Sequence, residues 1–535
     1  VNGKLKEINV IANNDYSIIT DEKGNGYSKY GNNLIYRYKK TDDVDQGIVF
    51  YLKNIKTKRI WTSNYSNYLN KPDKYTMYFT PDMNKIVRQD GNIETTTKTF
   101  IVPNESIEIR RLELKNSGME DETLEITSFL ESVLSSESQD YAHKAFNKLF
   151  LRYEFLNDTN TILVTRKKRE ESQQDIYLAV NLYTENNTIG DLEYEIDKDK
   201  FSGRGGGFCL PKAVENSIPF SKKIGLTIDP IVAMKRTINI KPEEKVALNL
   251  IIAVSENKEK VIEYINEYTN SEKIKRSMEL SKAKNEAENR YLGVKGKDII
   301  LYQKILSLLL FNNSLKTVSY RNANYIPVTE LWKYGISGDL PILLIKVFNQ
   351  NDVEHVDKIL HAYEYFRVKN VSIDLVIINE EKNSYENYTK EAIMNCIYNN
   401  NLGYMQNIKG GIFVLDNLNN EEKDYLEERA NLVINATKGS ILRSIKDMEE
   451  EFLENQKEIG FEEIPQIIEE NQVNRENLDY ENLKYYNEYG GFSNDGKEYI
   501  IKVNKDERLP TVWSNVLANE NFGTIVTENM GGYTW

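Results

Sequence analysis

Five residues near the start of the chain, Asn9-Val-Ile-Ala-Asn13, recur near its end as Asn515-Val-Leu-Ala-Asn519. The same offset of 506 residues sets Tyr16 on Phe522, Ile19 on Ile525, Glu22 on Glu528 and Gly26-Tyr-Ser28 on Gly532-Tyr-Thr534, without a gap. Two strands that resemble each other by chance do not keep an Asn, an Ala, a Glu and a Gly in phase, so the pattern reads as the opening of one β-unit used twice. Gly490-Gly-Phe-Ser-Asn-Asp-Gly496 and Glu498–Val503 supply a leading turn and strand for the second copy, but residues 31–270 have no counterpart after it. A half-built sandwich would carry a long unpaired edge. The chain is therefore expected to be a segment of a longer polypeptide.

Residues 1–270 read as a large antiparallel β-sandwich. Ser106–Lys115 alternates apolar and polar with a phase shift at Arg110-Arg111, which suggests a bulge. A turn at Asn116–Asp121 then leads into Glu122–Thr127, a hairpin pattern, and a second hairpin is expected from Lys235–Ile240 to Val246–Val254 across Lys241-Pro-Glu-Glu. A short helix follows the N-cap candidate Asn257. Residues 271–312 turn helical, with Ile274, Met278, Ala287 and Tyr291 on one stripe and Ile299–Phe311 as a second, apolar helix.

Residues 313–446 alternate. Apolar runs at Pro341–Val347, Ser372–Ile378, Gly411–Leu415 and Asn431–Asn435 are separated by helical patterns at Asp352–Lys369, Tyr385–Tyr398 and Glu421–Arg429. That is the signature of βαβ units and a small parallel sheet. Residues 447–484 form an acidic helical connector, with thirteen acidic and two basic residues between 447 and 481, read mainly as a solvated face. Residues 485–535 open the second sandwich. The fold class is thus α+β and multi-domain.

Composition narrows the chemistry. With 69 basic and 82 acidic residues the net charge is −13, and no segment is strongly basic, which argues against a nucleic-acid partner. Two cysteines, Cys209 and Cys396, and three scattered histidines leave no disulfide framework and no metal-ligand spacing. No run of 18 apolar residues is present to span a membrane.

Several blocks carry a family likeness. Gly24-Asn-Gly-Tyr-Ser-Lys-Tyr30, Ile48–Leu52, Ile60-Trp-Thr62, Ala142-His-Lys-Ala-Phe-Asn-Lys-Leu-Phe150, Gly203-Arg-Gly205 and Asp229-Pro-Ile-Val-Ala233 are similar to the first sandwich of large β-1,2-glucan-active proteins. Leu331-Trp-Lys-Tyr-Gly-Ile-Ser-Gly-Asp-Leu-Pro-Ile342, Asp374–Glu380, Gly490-Gly-Phe492 and Gly496–Ile501 extend the match. The chain resembles glycoside hydrolase family 94, formerly glycosyltransferase family 36. Within that family it looks most like 1,2-β-oligoglucan phosphorylases and the C-terminal part of cyclic β-1,2-glucan synthases.

The resemblance implies a galactose-mutarotase-like supersandwich. It also implies a parent enzyme that phosphorolyses β-glucosidic bonds reversibly with inversion, using inorganic phosphate as co-substrate and no other cofactor, and giving α-glucose 1-phosphate. The family's acid and phosphate site lie in a downstream (α/α)6 barrel of the same polypeptide, so no catalytic residue and no metal ligand is carried onto this chain. Implied partners are a β-1,2-linked gluco-oligosaccharide or glucan, that barrel, and a second copy in a homodimer. The implied location is the cytoplasm, or the cytoplasmic side of the inner membrane for a synthase. The expected role is a non-catalytic scaffold that helps bind glucan. A free-standing carbohydrate-binding or assembly module is the alternative, and a nucleotide-sugar enzyme using the βαβ region is a weaker third.

Four residues are singled out for sugar contact: Trp332, Tyr334, Asp339 and Arg204. Aromatic faces pack on the apolar face of a pyranose, and a carboxylate accepts paired hydroxyl hydrogen bonds. The same segment also reads as a joint in which Gly335 and Gly338 turn the chain and Asp339 caps a backbone end. Arg204 stands in the Gly-rich loop Gly203–Gly207, which lacks the Lys-Ser or Lys-Thr of a phosphate loop and fits a sandwich turn. Its guanidinium can still fork onto a sugar hydroxyl or an anion. Asp374, Glu380 and Glu381 flank an apolar strand where a ligand crevice would lie, and His143 reads as structural.

Overall fold

The computed structural model describes residues 6–38, 47–66, 69–168, 174–186, 188–203, 207–311, 327–381, 388–458, 482–503, 509–529 and 531–535. Arg204, the stretch 312–326, the first residues of the helix expected at Tyr385 and the acidic connector from 459 to 481 lie outside them.

The chain opens with β1 (Ile8–Asn13), β2 (Tyr16–Asp21), β3 (Gly26–Tyr30), β4 (Asn33–Tyr36), β5 (Val49–Asn54) and β6 (Ile60–Thr62). Next come β7 (Lys74–Phe79), β8 (Met83–Asp90), β9 (Ile93–Ile101), β10 (Ile107–Asn116), β11 (Glu122–Leu130) and β12 (Ser132–Ser136). Two one-turn helices, α1 (Glu137–Ala142) and α2 (Lys144–Lys148), lead into β13 (Leu151–Leu156), β14 (Thr161–Arg166), β15 (Tyr177–Thr184) and β16 (Ile189–Asp197). After α3 (Lys198–Ser202) and α4 (Lys212–Glu215), β17 (Pro230–Ile240) and β18 (Lys245–Ser255) complete three sheets. Their orders are β1-β2-β3-β4-β12, β13-β14-β15-β18-β10-β9-β8-β7, and β16-β17-β11-β5-β6. All pairings in them are antiparallel.

Both expected hairpins are corrected. β10 and β11 lie in different sheets, as do β17 and β18. Each short connection arches from one layer of the sandwich to the other. Two-fold alternation on both strands is equally compatible with an arch and with a hairpin, so the local pattern does not separate them. Asn116 ties the two arches together: its backbone N–H reaches Glu244 O at 3.2 Å, and its carbonyl accepts from Glu243 N at 2.8 Å. Its side-chain amide donates to Glu120 O at 2.7 Å and Ile240 O at 3.0 Å, while its Oδ1 accepts from Gly118 N at 2.9 Å.

There is also no bulge at Arg110-Arg111, because the register of β10 against β9 and β18 runs unbroken through both residues. The phase shift has another cause. The eight-stranded sheet is covered on both faces, by the sandwich interior on one side and by helices on the other. Leu112 and Leu114 point into the sandwich core, while Ile107 and Ile109 belong to the cluster beneath α5 (Lys258–Tyr268) and α6 (Ser271–Tyr291). Glu108 and Arg110 also face inward, buried and paired with each other at 2.6 Å. Tyr16 Oη donates to Glu108 at 3.0 Å, Ser28 Oγ donates to it at 2.5 Å, and Arg110 donates to Tyr36 Oη at 2.8 Å. A fully satisfied network of this kind holds the facing sheets in one relative position.

Asn257 caps α5 by accepting from Lys260 N at 2.8 Å. On α6 the first half of the expected stripe holds, with Ile274 buried and Met278 packed on the same cluster, but the buried face continues through Ser277, Ser281 and Asn285, while Tyr291 is 90% exposed and Ala287 is exposed. Ser277, Ser281 and Asn285 are small polar residues, a signal that apolar periodicity does not register. α7 (Gly296–Leu310) buries Tyr302, Ile305, Leu306, Leu308 and Leu309 and packs between β1 and the next layer, so one hydrophobic core runs from the sandwich into the α/β region.

That region contains β19 (Ile342–Val347), α8 (Val353–Val368), β20 (Asp374–Asn379), α9 (Tyr388–Asn399), β21 (Ile412–Leu415), α10 (Asn420–Arg429) and β22 (Leu432–Asn435). Its strands pair in parallel in the order β21-β20-β19-β22, as the alternating pattern predicts. α11 (Ile441–Glu458) follows.

The repeat is exact in structure. After β23 (Gly490–Phe492) and β24 (Tyr499–Ile501) come β25 (Ser514–Ala518), β26 (Gly523–Thr527) and β27 (Gly532–Thr534). Val516 opposes Ile525 and Ile525 opposes Tyr533, just as Val10 opposes Ile19 and Ile19 opposes Tyr27. The surroundings differ. β1 and β2 are buried throughout, whereas β25 is exposed throughout.

Candidate functional site

The segment expected to touch sugar is a 3-10 turn, Val328–Tyr334, ended by Gly335 at φ 77° and followed by Gly338 at φ 78°. Both glycines adopt the left-handed conformation that other residues resist, and a Cβ on Gly338 would sit 2.6 Å from Val328 Cγ2. The turn sorts the three candidates differently. Trp332 is 63% exposed, its indole N–H donating to Ser337 O at 3.3 Å. Tyr334 is half-buried against the cluster of Leu331, Ile336 and Tyr425, and the Lys333 ammonium lies 4.9 Å over its ring. Asp339 is exposed and paired with Lys409 at 2.6 Å, which draws its carboxyl below the ordinary range. Of the three, only Trp332 presents a largely solvent-facing ring. Arg204, the fourth candidate, lies outside the described residues.

The other acidic candidates are engaged. Asp374 opens β20, at the amino end of the parallel strands, where it is buried and accepts from Gly410 N at 2.8 Å; burial pushes its carboxyl up. Glu380 stands at the opposite, carboxyl end and pairs with Lys423 at 2.5 Å, and Glu381 accepts from Thr389 N at 3.2 Å. His143 is exposed at the junction of α1 and α2. Among the described residues, no three His, Cys, Asp or Glu side chains gather into a metal-binding group.

One constellation escaped the sequence. Glu131, 2% exposed, sits between three cations: Lys198 Nζ at 3.3 Å, Arg37 Nη1 at 3.6 Å and Lys148 Nζ at 3.6 Å. Arg37 also forks onto Asp140, at 2.9 and 2.5 Å, and Lys148 and Lys198 share Asp229. Burial works to raise the Glu131 carboxyl, but Lys198, Arg37 and Lys148 outweigh it and hold the group below its ordinary range. Asp140 is likewise held low, its burial outweighed by Arg37 and Asn147. Lys198 lies 4.4 Å over the ring of Phe208, which packs on Phe129, itself stacked on Phe201. Three cations meet three anions, so the cluster is charge-balanced, and Lys198 and Asp229 are open to water at its rim. Its members come from six places across the first sandwich, with no spacing to mark them. Ala142–Phe150 and Asp229–Ala233, two of the blocks that carry the resemblance, meet here through Lys148 and Asp229.

Comparison with known proteins places the chain. The family model described as "Glycosyl hydrolase 94, supersandwich domain" matches residues 2–271 and again 497–535, both copies of the internal repeat. The cyclic beta-(1,2)-glucan synthase NdvB of Rhizobium meliloti (strain 1021) is 26% identical over 99% of this chain, which spans 19% of that protein's length. Among solved structures, a bacterial glucoamylase complexed with acarbose aligns at 11% identity, covering 58% of this chain and 42% of its own, with a TM-score of 0.32. A putative aldose 1-epimerase of Escherichia coli K12 aligns at 8% identity over 47% of this chain and 99% of its own, with a TM-score of 0.27. With the family model covering more than half of its residues, the chain belongs to the glycosyl hydrolase 94 supersandwich family.

Proposed function

We propose that this chain is a non-catalytic portion of a carbohydrate-active enzyme that works on β-1,2-linked glucans. In this reading it scaffolds a catalytic barrel of the same polypeptide and contributes to glucan binding, with Trp332, Tyr334, Asp339 and Arg204 as the first residues to test. The parent reaction would be reversible, inverting phosphorolysis to α-glucose 1-phosphate, or the related step of a cyclic glucan synthase at the cytoplasmic side of the membrane. The observation that carries the reading is the family match on both copies of the repeat, together with the alignment of nearly the whole chain to a cyclic β-1,2-glucan synthase. No helix among the described residues is long and apolar enough to cross a membrane.

The test sets binding against turnover. The chain is incubated with β-1,2-gluco-oligosaccharides and inorganic phosphate, and glucose 1-phosphate is assayed while binding is followed by calorimetry. Binding without product is expected. Phosphate-dependent release of glucose 1-phosphate by this chain alone would refute the non-catalytic role. If no β-1,2-oligosaccharide bound, the glucan reading would be lost.

A further inference from the structure

Between β12 and β13 the chain turns through α1 and α2, which meet at His143 and border a surface cavity of about 190 Å³. Its lining is Ser138, Gln139, Ala142, His143, Phe146 and Asn147. The floor is rigid. Asn147 is 4% exposed, donates to Ser135 Oγ at 2.7 Å and Asp140 Oδ1 at 3.1 Å, and accepts from Arg166. The Arg37–Asp140 fork anchors that floor to the charged cluster around Glu131. The aromatic wall is held too: Phe146 meets Phe150 edge-on at 5.1 Å, and the Arg166 guanidinium lies 5.4 Å over Phe150. At the rim, the side chains of Gln139 and His143 make no hydrogen bond to the described residues, so their donors and acceptors are available to a ligand.

The lining selects a ligand class. None of the six residues carries a permanent charge, so a phosphate or nucleotide finds no counter-ion in it. One aromatic wall beside an amide, an imidazole and a hydroxyl matches a ring with an apolar C–H face and a hydroxyl edge. The volume is below the roughly 300–1,000 Å³ of pockets that enclose drug-sized ligands, which limits the occupant to one ring with its continuation in solvent. We propose that this cavity binds one neutral pyranose, a glucose unit of a β-1,2-linked glucan, with Phe146 against the C–H face and Gln139, His143 and Ser138 at the hydroxyls. The proposal rests on the glucan-binding reading above and puts one contact on the sandwich.

Saturation-transfer NMR with a β-1,2-linked glucose disaccharide tests it, on wild type, Phe146→Ala and the double variant Gln139→Ala/His143→Ala. The altered side chains are exposed, and unchanged melting temperatures verify that each variant folds. Transfer in wild type, with at least a tenfold loss of affinity in Phe146→Ala and in the double variant, is the expected result. Undiminished transfer in Phe146→Ala and the double variant would overturn the cavity and leave the glucan reading standing. Absence of transfer in wild type would overturn both. Glucose 1-phosphate binding more tightly than the neutral disaccharide would overturn the assignment of ligand class.

Discussion

Replacing Lys369 with methionine should stabilise this protein near neutral pH and do so less as the pH rises. Lys369 follows the last turn of α8, where it is 1% exposed and donates to Asn285 Oδ1 at 2.9 Å, with the Glu288 carboxylate at 4.0 Å. Lys284 lies on the same face of α6 and the Tyr365 ring 5.7 Å away. Burial lowers its pKa from 10.5 to about 8, against the upward pull of Glu288. That depression corresponds to roughly 3 kcal/mol against the charged form. Methionine removes the charge and keeps most of the length, but it leaves Asn285 Oδ1 without its donor, at a cost of about 1 kcal/mol. The net gain at pH 7 is therefore about 2 kcal/mol.

The pH dependence has a definite sign. The folded pKa is the lower one, so between about pH 8 and 10.5 the unfolded chain binds more protons, and wild-type stability climbs by about 1.4 kcal/mol per pH unit. Methionine binds none. The advantage of Lys369→Met is complete below pH 8 and shrinks by roughly 1.4 kcal/mol by pH 9. Urea unfolding followed by circular dichroism, on both proteins at pH 7 and pH 9, measures the difference. An advantage equal at the two pH values would refute the argument. A variant less stable than wild type at pH 7 would show that the contact with Glu288 outweighs burial.

Glu131→Gln should cost about 3–5 kcal/mol, because it leaves Arg37, Lys148 and Lys198 short of an anion in a buried site, and a thermal melt reads it. In wild type, Glu131 and Asp140 have folded pKa values below their unfolded ones, so their contribution is complete above the ordinary carboxylate range and is lost as pH falls through the folded values. An acid titration of the melting temperature should accordingly be flatter in Glu131→Gln than in wild type. Asn116→Ala strands the carbonyls of Glu120 and Ile240 and the N–H of Gly118, and should cost about 2–4 kcal/mol in urea unfolding. Tyr16→Phe removes one donor from buried Glu108 and should cost roughly 1.5 kcal/mol in the same assay.

Much of the architecture was legible because it is periodic. The four parallel strands sit where apolar runs of five to seven residues alternate with amphipathic helices, and the Asn257 cap and the 506-residue repeat hold down to individual pairings. Illegible were features in which two layers act on one strand. β10 carries one apolar set toward the core and another toward α5 and α6, and in a single sequence that looks like a bulge. Whether a short loop makes a hairpin or an arch depends on Asn116 bonding across both arches at once, a contact between residues some 124 positions apart. The site was least legible of all. Trp332 was visible as an aromatic beside glycines, but Arg37, Glu131, Asp140, Lys148, Lys198 and Asp229 share no spacing and meet only when the sheets close.

A chain that carries the same three-stranded unit twice gives its own folding a choice. Either β1–β3 or β25–β27 can present two asparagines, Asn9 and Asn13 or their counterparts Asn515 and Asn519, toward the eight-stranded sheet while that sheet is forming. The choice is biased by more than one atom: Thr20 Oγ1 accepts from Asn84 at 2.9 Å, and its counterpart is Val526. Where the first unit has Tyr16, whose hydroxyl reaches Glu108, the second has Phe522. An exchange of the two units would seal a carboxylate into the interior with one donor fewer, a penalty of roughly 1–3 kcal/mol, or about ten- to a hundredfold in population. Selection of the unit that docks thus draws on hydroxyls deep in the protein, Tyr16 among them, which ties the fidelity of assembly to a position with no exposure to solvent.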